Sequence, residues 1–104
     1  MSMILMTIKK SSNSQKKLMA IFKNKVTGRT KTVHFGATGY SDYTLIKNKE
    51  EANKKRNLYL KRHSKNENWN NPMTAGSLSR WVLWGDSQDI NKNIVYFKNK
   101  FNLN

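Results

Sequence analysis

The sequence predicts a small α+β domain, a β-hairpin followed by three short helices, and three observations carry that reading. Two β-prone runs flank Thr27-Gly28-Arg29, with a glycine where a tight turn needs one. A stretch beginning at Asn48 carries the cap, the early acids and the later lysines of a helix. Near the end, Ile90, Ile94, Phe97 and Phe101 recur at spacings of four, three and four, the period of an apolar helical stripe. A chain of 104 residues has the length of one ordinary domain. Its hydrophobic fraction is only 37%, but it includes Trp69, Trp81 and Trp84, and large aromatics supply much buried area per residue.

Taken in order, residues 1–15 open with a short apolar run and end in the polar SSNSQ, which predicts a flexible basic arm and leaves residues 16–104 as the single α+β domain. The segment KKLMAIFKNKVTGRTKTVHFG follows. Gly28 can take the positive φ of a tight turn, and the second run alternates Lys31, Val33 and Phe35 with Thr30, Thr32 and His34. Two strands alone are marginal in water, so one face of this hairpin must pack on something else.

The first helix is expected over residues 49–63. Asn48 can cap it, Glu50 and Glu51 sit in the first turn where the helix dipole favours anions, and each has a lysine four residues later. Ala52, Tyr59, Leu60 and His63 fall near one side, while Lys54, Lys55, Lys61, Arg62 and Lys65 fall mostly elsewhere. A polar loop interrupted by Trp69 leads to a second helix within residues 72–84. Either Asn71 before Pro72 or Thr74 can cap it, Gly85 closes it, and Leu78, Trp81, Val82 and Trp84 form its apolar side. The last helix is expected to start near Asp86 or Ser87 and to carry the Ile90 to Phe101 stripe.

Several function classes lack their signatures. No apolar run approaches the roughly 18 residues of a membrane span, and the opening has no secretory pattern. The chain has no cysteine and only two histidines, His34 and His63, so disulfides, thiolate ligands and the usual zinc spacings are missing. An intracellular, cofactor-free and metal-free protein is expected. The glycines of GATG belong to neither a dinucleotide fingerprint nor a P-loop. Asp42, His34, His63 and Glu67 are the only conceivable set for proton transfer, and no catalytic residue is assigned.

Charge is the strongest compositional signal. The chain carries 20 Lys and Arg against six Asp and Glu, a net charge of +14, and such a surface attracts polyanions. The excess is uneven: +8 over residues 1–35, +4 over 36–70 and +2 over 71–104. Coding bias is the competing explanation, since 16 of the 20 basic residues are Lys and Asn occurs 14 times, yet that bias would equally admit acids. Phosphate contacts are therefore expected from Lys16, Lys17, Arg29, Lys31, Lys54, Lys55, Lys61, Arg62 and Lys65. With no helix-turn-helix, RNA-recognition or zinc-finger signature, binding should follow the backbone and not the base sequence, DNA being the expected form.

The stretch HFGATGYSDYT, residues 34–44, places one of the few carboxylates among glycines and aromatics. The expectation is a structural clasp made by Tyr40, Asp42, Tyr43, Arg62, His63, Arg80 and Trp81. In it Asp42 accepts backbone hydrogen bonds or pairs with Arg62 or Arg80, and the two tyrosines pack on the tryptophan-rich second helix. The alternative is a functional site in which the tyrosines stack on bases and Asp42 orients an arginine. Trp81 and Trp84, three apart on a helix, read as core or else as a surface that docks another protein.

These same residues carry a resemblance. His34-Phe35-Gly36-Ala37, Gly39-Tyr40-Ser41-Asp42-Tyr43-Thr44, Tyr59, Arg62-His63, Glu67, Trp69, Pro72, Thr74-Ala75-Gly76 and Leu78-Ser79-Arg80-Trp81 with Leu83-Trp84 resemble the pattern of small lysine-rich proteins encoded by large DNA viruses of amoebae and algae. The resemblance covers most of residues 17–101. Ile46 and Asn48 stand where that pattern has His and Asp, so neither position supplies a metal ligand or a catalytic base here. That group has no assigned activity, and the resemblance implies a viral origin, an AT-rich coding bias and residence in the virion or the infected cell.

The functional expectation is a non-enzymatic basic viral protein that binds nucleic acid through phosphates, as a virion or genome-packaging component. Two alternatives stand beside it: a structural component that docks other virion proteins through aromatic surface, and a small nuclease.

Overall fold

Where the sequence suggested a two-stranded hairpin behind a loose arm, the computed structural model, which describes residues 3–104, has a three-stranded antiparallel sheet. Its strands are β1 (Met3–Lys10), β2 (Lys16–Asn24) and β3 (Thr30–Ala37), in the order β1-β2-β3. β2 and β3 pair across a turn in which Gly28 takes φ +75° and the Asn24 side chain accepts the amides of Val26 and Thr27. Residues 3–10 are thus an edge strand, and the arm expected over residues 1–15 is corrected there. The period-2 signal was hidden by a bulge. Register shifts between Leu5 and Thr7, so Leu5 and Ile8, three apart, both reach the core while Met6 is exposed. The amide of Leu5 also donates to the carbonyl of Leu103, tying the first strand to the chain's end.

Helix α1 (Lys49–His63) has the expected bounds, and the Asn48 side chain accepts the Glu51 amide. Only Ala52 and Tyr59 of this helix are buried. Glu50 and Glu51 form no ion pair with Lys54 or Lys55, since the salt bridges among the described residues lie elsewhere. Helix α2 (Ala75–Leu78) is capped by Thr74, not Asn71, and continues as a π-helical turn, Ser79–Leu83. That wider turn closes with the Trp84 amide donating to Ser79 O at 2.9 Å. Helix α3 (Ile90–Lys100) is capped by Asp89, a few residues later than expected, because Asn93 takes the intervening chain. Asn93 is buried, donates to the carbonyls of Val82 and Ser87, and accepts the Ser87 amide.

The core lies between one sheet face and the last two helices. Leu5, Ala20, Phe22 and Phe35 come from the sheet; Leu78, Val82, Leu83, Phe97 and Leu103 come from the other side. Ile90, Ile94 and Phe101 pack at its margin, as the helical spacing predicted. α1 stands outside this apolar core and is held by polar and aromatic contacts. Arg56 donates to the carbonyls of Trp84 and Gly85 and pairs with Asp86 at 2.7 Å, and the Tyr59 ring stacks on Trp84 at 4.5 Å. No helix among the described residues is long and apolar enough to cross a membrane.

Candidate functional site

Asp42 is 1% exposed, and its partner is Lys17. Lys17 Nζ donates to one carboxylate oxygen at 2.7 Å, while the other accepts the Thr44 amide and hydroxyl. The expected pairing with Arg62 or Arg80 is therefore corrected. The cause is register: β2 and β3 pair Lys16 with Ala37, and Gly36 (φ +78°) and Gly39 (φ +84°) turn the chain back so that Asp42 meets the start of β2.

The two tyrosines separate. Tyr43 is buried, but against α1 and not the second helix: its hydroxyl donates to Asn53 Oδ1 and accepts from Lys49 Nζ, both at 2.8 Å. Gln88 donates to the carbonyls of Tyr43 and Ile46 and closes the loop from the other side. Tyr40 is 73% exposed, and its side chain makes no hydrogen bond and no ring contact among the described residues.

Arg80, His63 and Trp81 belong to a second cluster. The Arg80 guanidinium lies 4.2 Å from the Trp81 ring centre and 5.3 Å from that of Trp69, and Nη1 donates to Trp84 O. Its buried Nε lacks a partner among the described residues. Burial first, and the nearby Arg56 cation second, hold its pKa below the ordinary arginine value. His63 Nδ1 lies 3.2 Å from Glu67 Oε1, and the Trp69 indole donates to Glu67 Oε2 at 2.8 Å. Trp81 reaches the carbonyl of Trp69 and packs near Tyr96 and Phe101.

Between these clusters opens a cleft of about 400 Å³. The end of β3 and the loop to Asp42 make one wall, the last turns of α1 with Glu67 the other, and α2 with the π-helical turn and Trp84 the floor. Asp42, His63 and Glu67 all line it, whereas His34, on β3, bonds Ser11 Oγ at 2.7 Å and takes no part. Two glycines keep the walls close: a Cβ at Gly36 would lie 2.8 Å from Leu83 Cδ1, and one at Gly76 would lie 2.9 Å from Glu67 Oε2. Burial, reinforced by the Glu67 charge, raises the pKa of the Tyr59 phenol on the cleft wall well above its usual value, so that it stays protonated. Sequence reasoning missed Tyr59, Ser79 and Trp84 as cleft residues; the one available signal was the small pair Ala75-Gly76 opposite a loop that carries Glu67. Among the described residues no group of three or more His, Asp or Glu side chains is placed to hold a metal.

The expected phosphate contacts do not form one set. Lys17 is consumed by Asp42. Arg29 and Lys31 are exposed at the far end of the β2–β3 pair, and six strand residues, about 20 Å, separate Lys31 from Ala37, the partner of Lys16. Lys54, Lys55, Lys61, Arg62 and Lys65 are all exposed. Lys54, Lys61 and Lys65 follow helical spacing opposite Ala52 and Tyr59, with Lys55 and Arg62 flanking them. A shallow depression beside Leu58 is lined by Lys61, Arg62 and Lys65, and Arg62 lines the cleft as well.

Residues 6–63, from β1 to the end of α1, match the model of DUF5754, described as a family of unknown function. No curated protein and no solved structure matches the chain.

Proposed function

Because the chain belongs to DUF5754, a family of unknown function matched over residues 6–63, its role must be read from its own residues, and we propose that it is a non-enzymatic basic protein that binds nucleic acid through phosphate contacts. One observation carries this reading: of the 20 Lys and Arg, only Lys17 and Arg56 lie within salt-bridge distance of a carboxylate among the described residues. Lys49, Arg80 and Lys100 are spent on hydroxyl, carbonyl and ring contacts, and most of the remaining positive charge has no internal partner among the described residues. Its densest part is the exposed face of α1 and the turn after it, Lys54 to Lys65, and a helix face of this kind tracks a phosphate backbone without reading bases. In the setting that the resemblance to large-virus proteins implies, that backbone is the viral genome, in the particle or the infected cell.

The docking alternative has less to stand on. Trp84 is stacked on Tyr59, and Trp81 is covered by Arg80, Lys100 and Tyr96, so the tryptophans spend their faces inside the molecule. Against a nuclease, both Asp42 oxygens are already committed to Lys17 and Thr44.

Binding to duplex DNA measured against salt tests the proposal. If about six side chains contact phosphates, log K falls against log salt with a slope near −5. Replacing Lys54, Lys55, Lys61 and Arg62 with Gln should flatten it by about three to four units, while Trp81→Phe leaves it unchanged. A slope that survives the four substitutions, or binding lost already at physiological salt, overturns the reading.

A further inference from the structure

The cleft beside Tyr40 holds more polar groups than the fold uses. Tyr59, Ser79, Arg62 and Lys16 all line it, and none of their side chains makes a hydrogen bond or salt bridge among the described residues. The Glu67 carboxylate has one bond on each oxygen, from His63 and from Trp69, which leaves each oxygen a free lone pair. Tyr40, 73% exposed, stands at the rim on a loop that positive-φ glycines hold in place. A half-open cleft with donors that have no protein partner, one anchored acceptor, two cations and an available aromatic face suits a ligand that is flat, carries amino donors and bears negative charge.

That description fits a nucleotide, and Arg62 supplies the route to it, since the same residue borders the basic depression on α1. We propose that the cleft receives one unpaired nucleotide of the bound strand, its base stacked on Tyr40, its amino-bearing edge on Glu67 and its phosphate between Arg62 and Lys16. The inference rests on the phosphate-binding reading and adds to it a preference for unpaired over duplex strands. The volume of about 400 Å³ admits a single base and sugar, whereas a base pair held in a duplex cannot enter a site between α1 and β3. Glu67, an acceptor only, selects bases that present an exocyclic amino group, cytosine over thymine. The protonated Tyr59 phenol adds a donor to the same wall.

The full chain and its Tyr40→Ala and Glu67→Gln variants are titrated with fluorescent oligodeoxycytidine, oligothymidine and a duplex of equal length at physiological salt, with thermal melts as a folding control. The wild type should bind oligodeoxycytidine more tightly than oligothymidine. Tyr40→Ala, on an exposed side chain, should weaken both single strands roughly tenfold and leave the duplex unchanged. Glu67→Gln, provided it melts as the wild type does, should remove the preference for cytosine; the wild-type comparison stands even if it does not. Single strands that bind Tyr40→Ala as tightly as wild type, or equal affinity of the wild type for cytosine and thymine, overturn the cleft while duplex binding by α1 stands. Failure of every probe to bind overturns the phosphate reading beneath it.

Discussion

Asp42 shows how much one side chain can settle and how little of it can be read in advance. A lone carboxylate among glycines and cations pointed to a clasp, but the partner was expected from Arg62 or Arg80, and it is Lys17. Nothing in the local sequence names a residue 25 positions earlier; the β2–β3 register does. The side chains differ in exposure, 18% for Lys17 and 2% for Asp42, so the two substitutions should not cost the same. Asp42→Asn leaves a lysine that can swing into water, and about 2 kcal/mol is expected, less than the usual ~3–5 for a fully buried pair. Lys17→Met strands a buried anion with only Thr44 to hold it and should cost more, about 3 kcal/mol. For a domain of this size those losses correspond to roughly 10 and 15 °C in melting temperature. Melts of the two variants at neutral pH decide the matter, and an unchanged melting temperature in both would show that the clasp contributes nothing. Tyr40 and Tyr43 teach the same lesson from the other side: identical residue types three apart go to opposite fates because one meets α1 and the other meets solvent.

At the scale of elements, what carried a clean period was legible. The Asn48 cap with Glu50 and Glu51 fixed α1, and the Ile90 to Phe101 spacing fixed the buried side of α3. What broke period was missed. The bulge at Met6 puts Leu5 and Ile8, three apart, on one face, a spacing that breaks the strand's period of two, so β1 read as an arm. The π-helical turn does the same to α2: five residues to a bond rotate Val82, Leu83 and Trp84 away from where a 3.6-residue period would set them. The cleft followed neither signal, because its walls come from three elements whose relative placement only the fold supplies. The bulge makes a sharp prediction. Leu5, 4% exposed, should cost about 3 kcal/mol when cut to Ala, whereas Met6→Ala at 52% exposure should stay within about 0.5. Urea midpoints of the two variants measure the difference; equal losses would mean that β1 does not bulge at Met6.

Across the whole molecule the same charge that attracts a polyanion strains the fold, and the two effects separate by their salt dependence. The molecule measures 45 × 27 × 25 Å. At about 10 mM salt the Debye length is roughly 30 Å, longer than both short dimensions, so every unpaired cation repels nearly every other. At about 150 mM it falls to roughly 8 Å, and repulsion survives only between close neighbours such as Lys61, Arg62 and Lys65, which line one depression at the end of α1. Repulsion acts in the folded state more than in the expanded chain, so added salt should raise the melting temperature by several degrees over this range, while binding to DNA weakens steeply across the same range. Attractive pairs oppose this, but Lys17–Asp42 is buried against screening and Arg56–Asp86 is a single pair with its acid exposed. Replacing Lys54, Lys55, Lys61 and Arg62 with Gln lowers the net charge from +14 to +10 and removes the densest cluster. That variant should melt higher than wild type at low salt and respond less to added salt. Scanning calorimetry of both proteins across the range is the test. A melting temperature that falls with salt in the wild type, or an identical response in the variant, would show that the cations are spread too thinly over the surface to form the organised face that α1 presents.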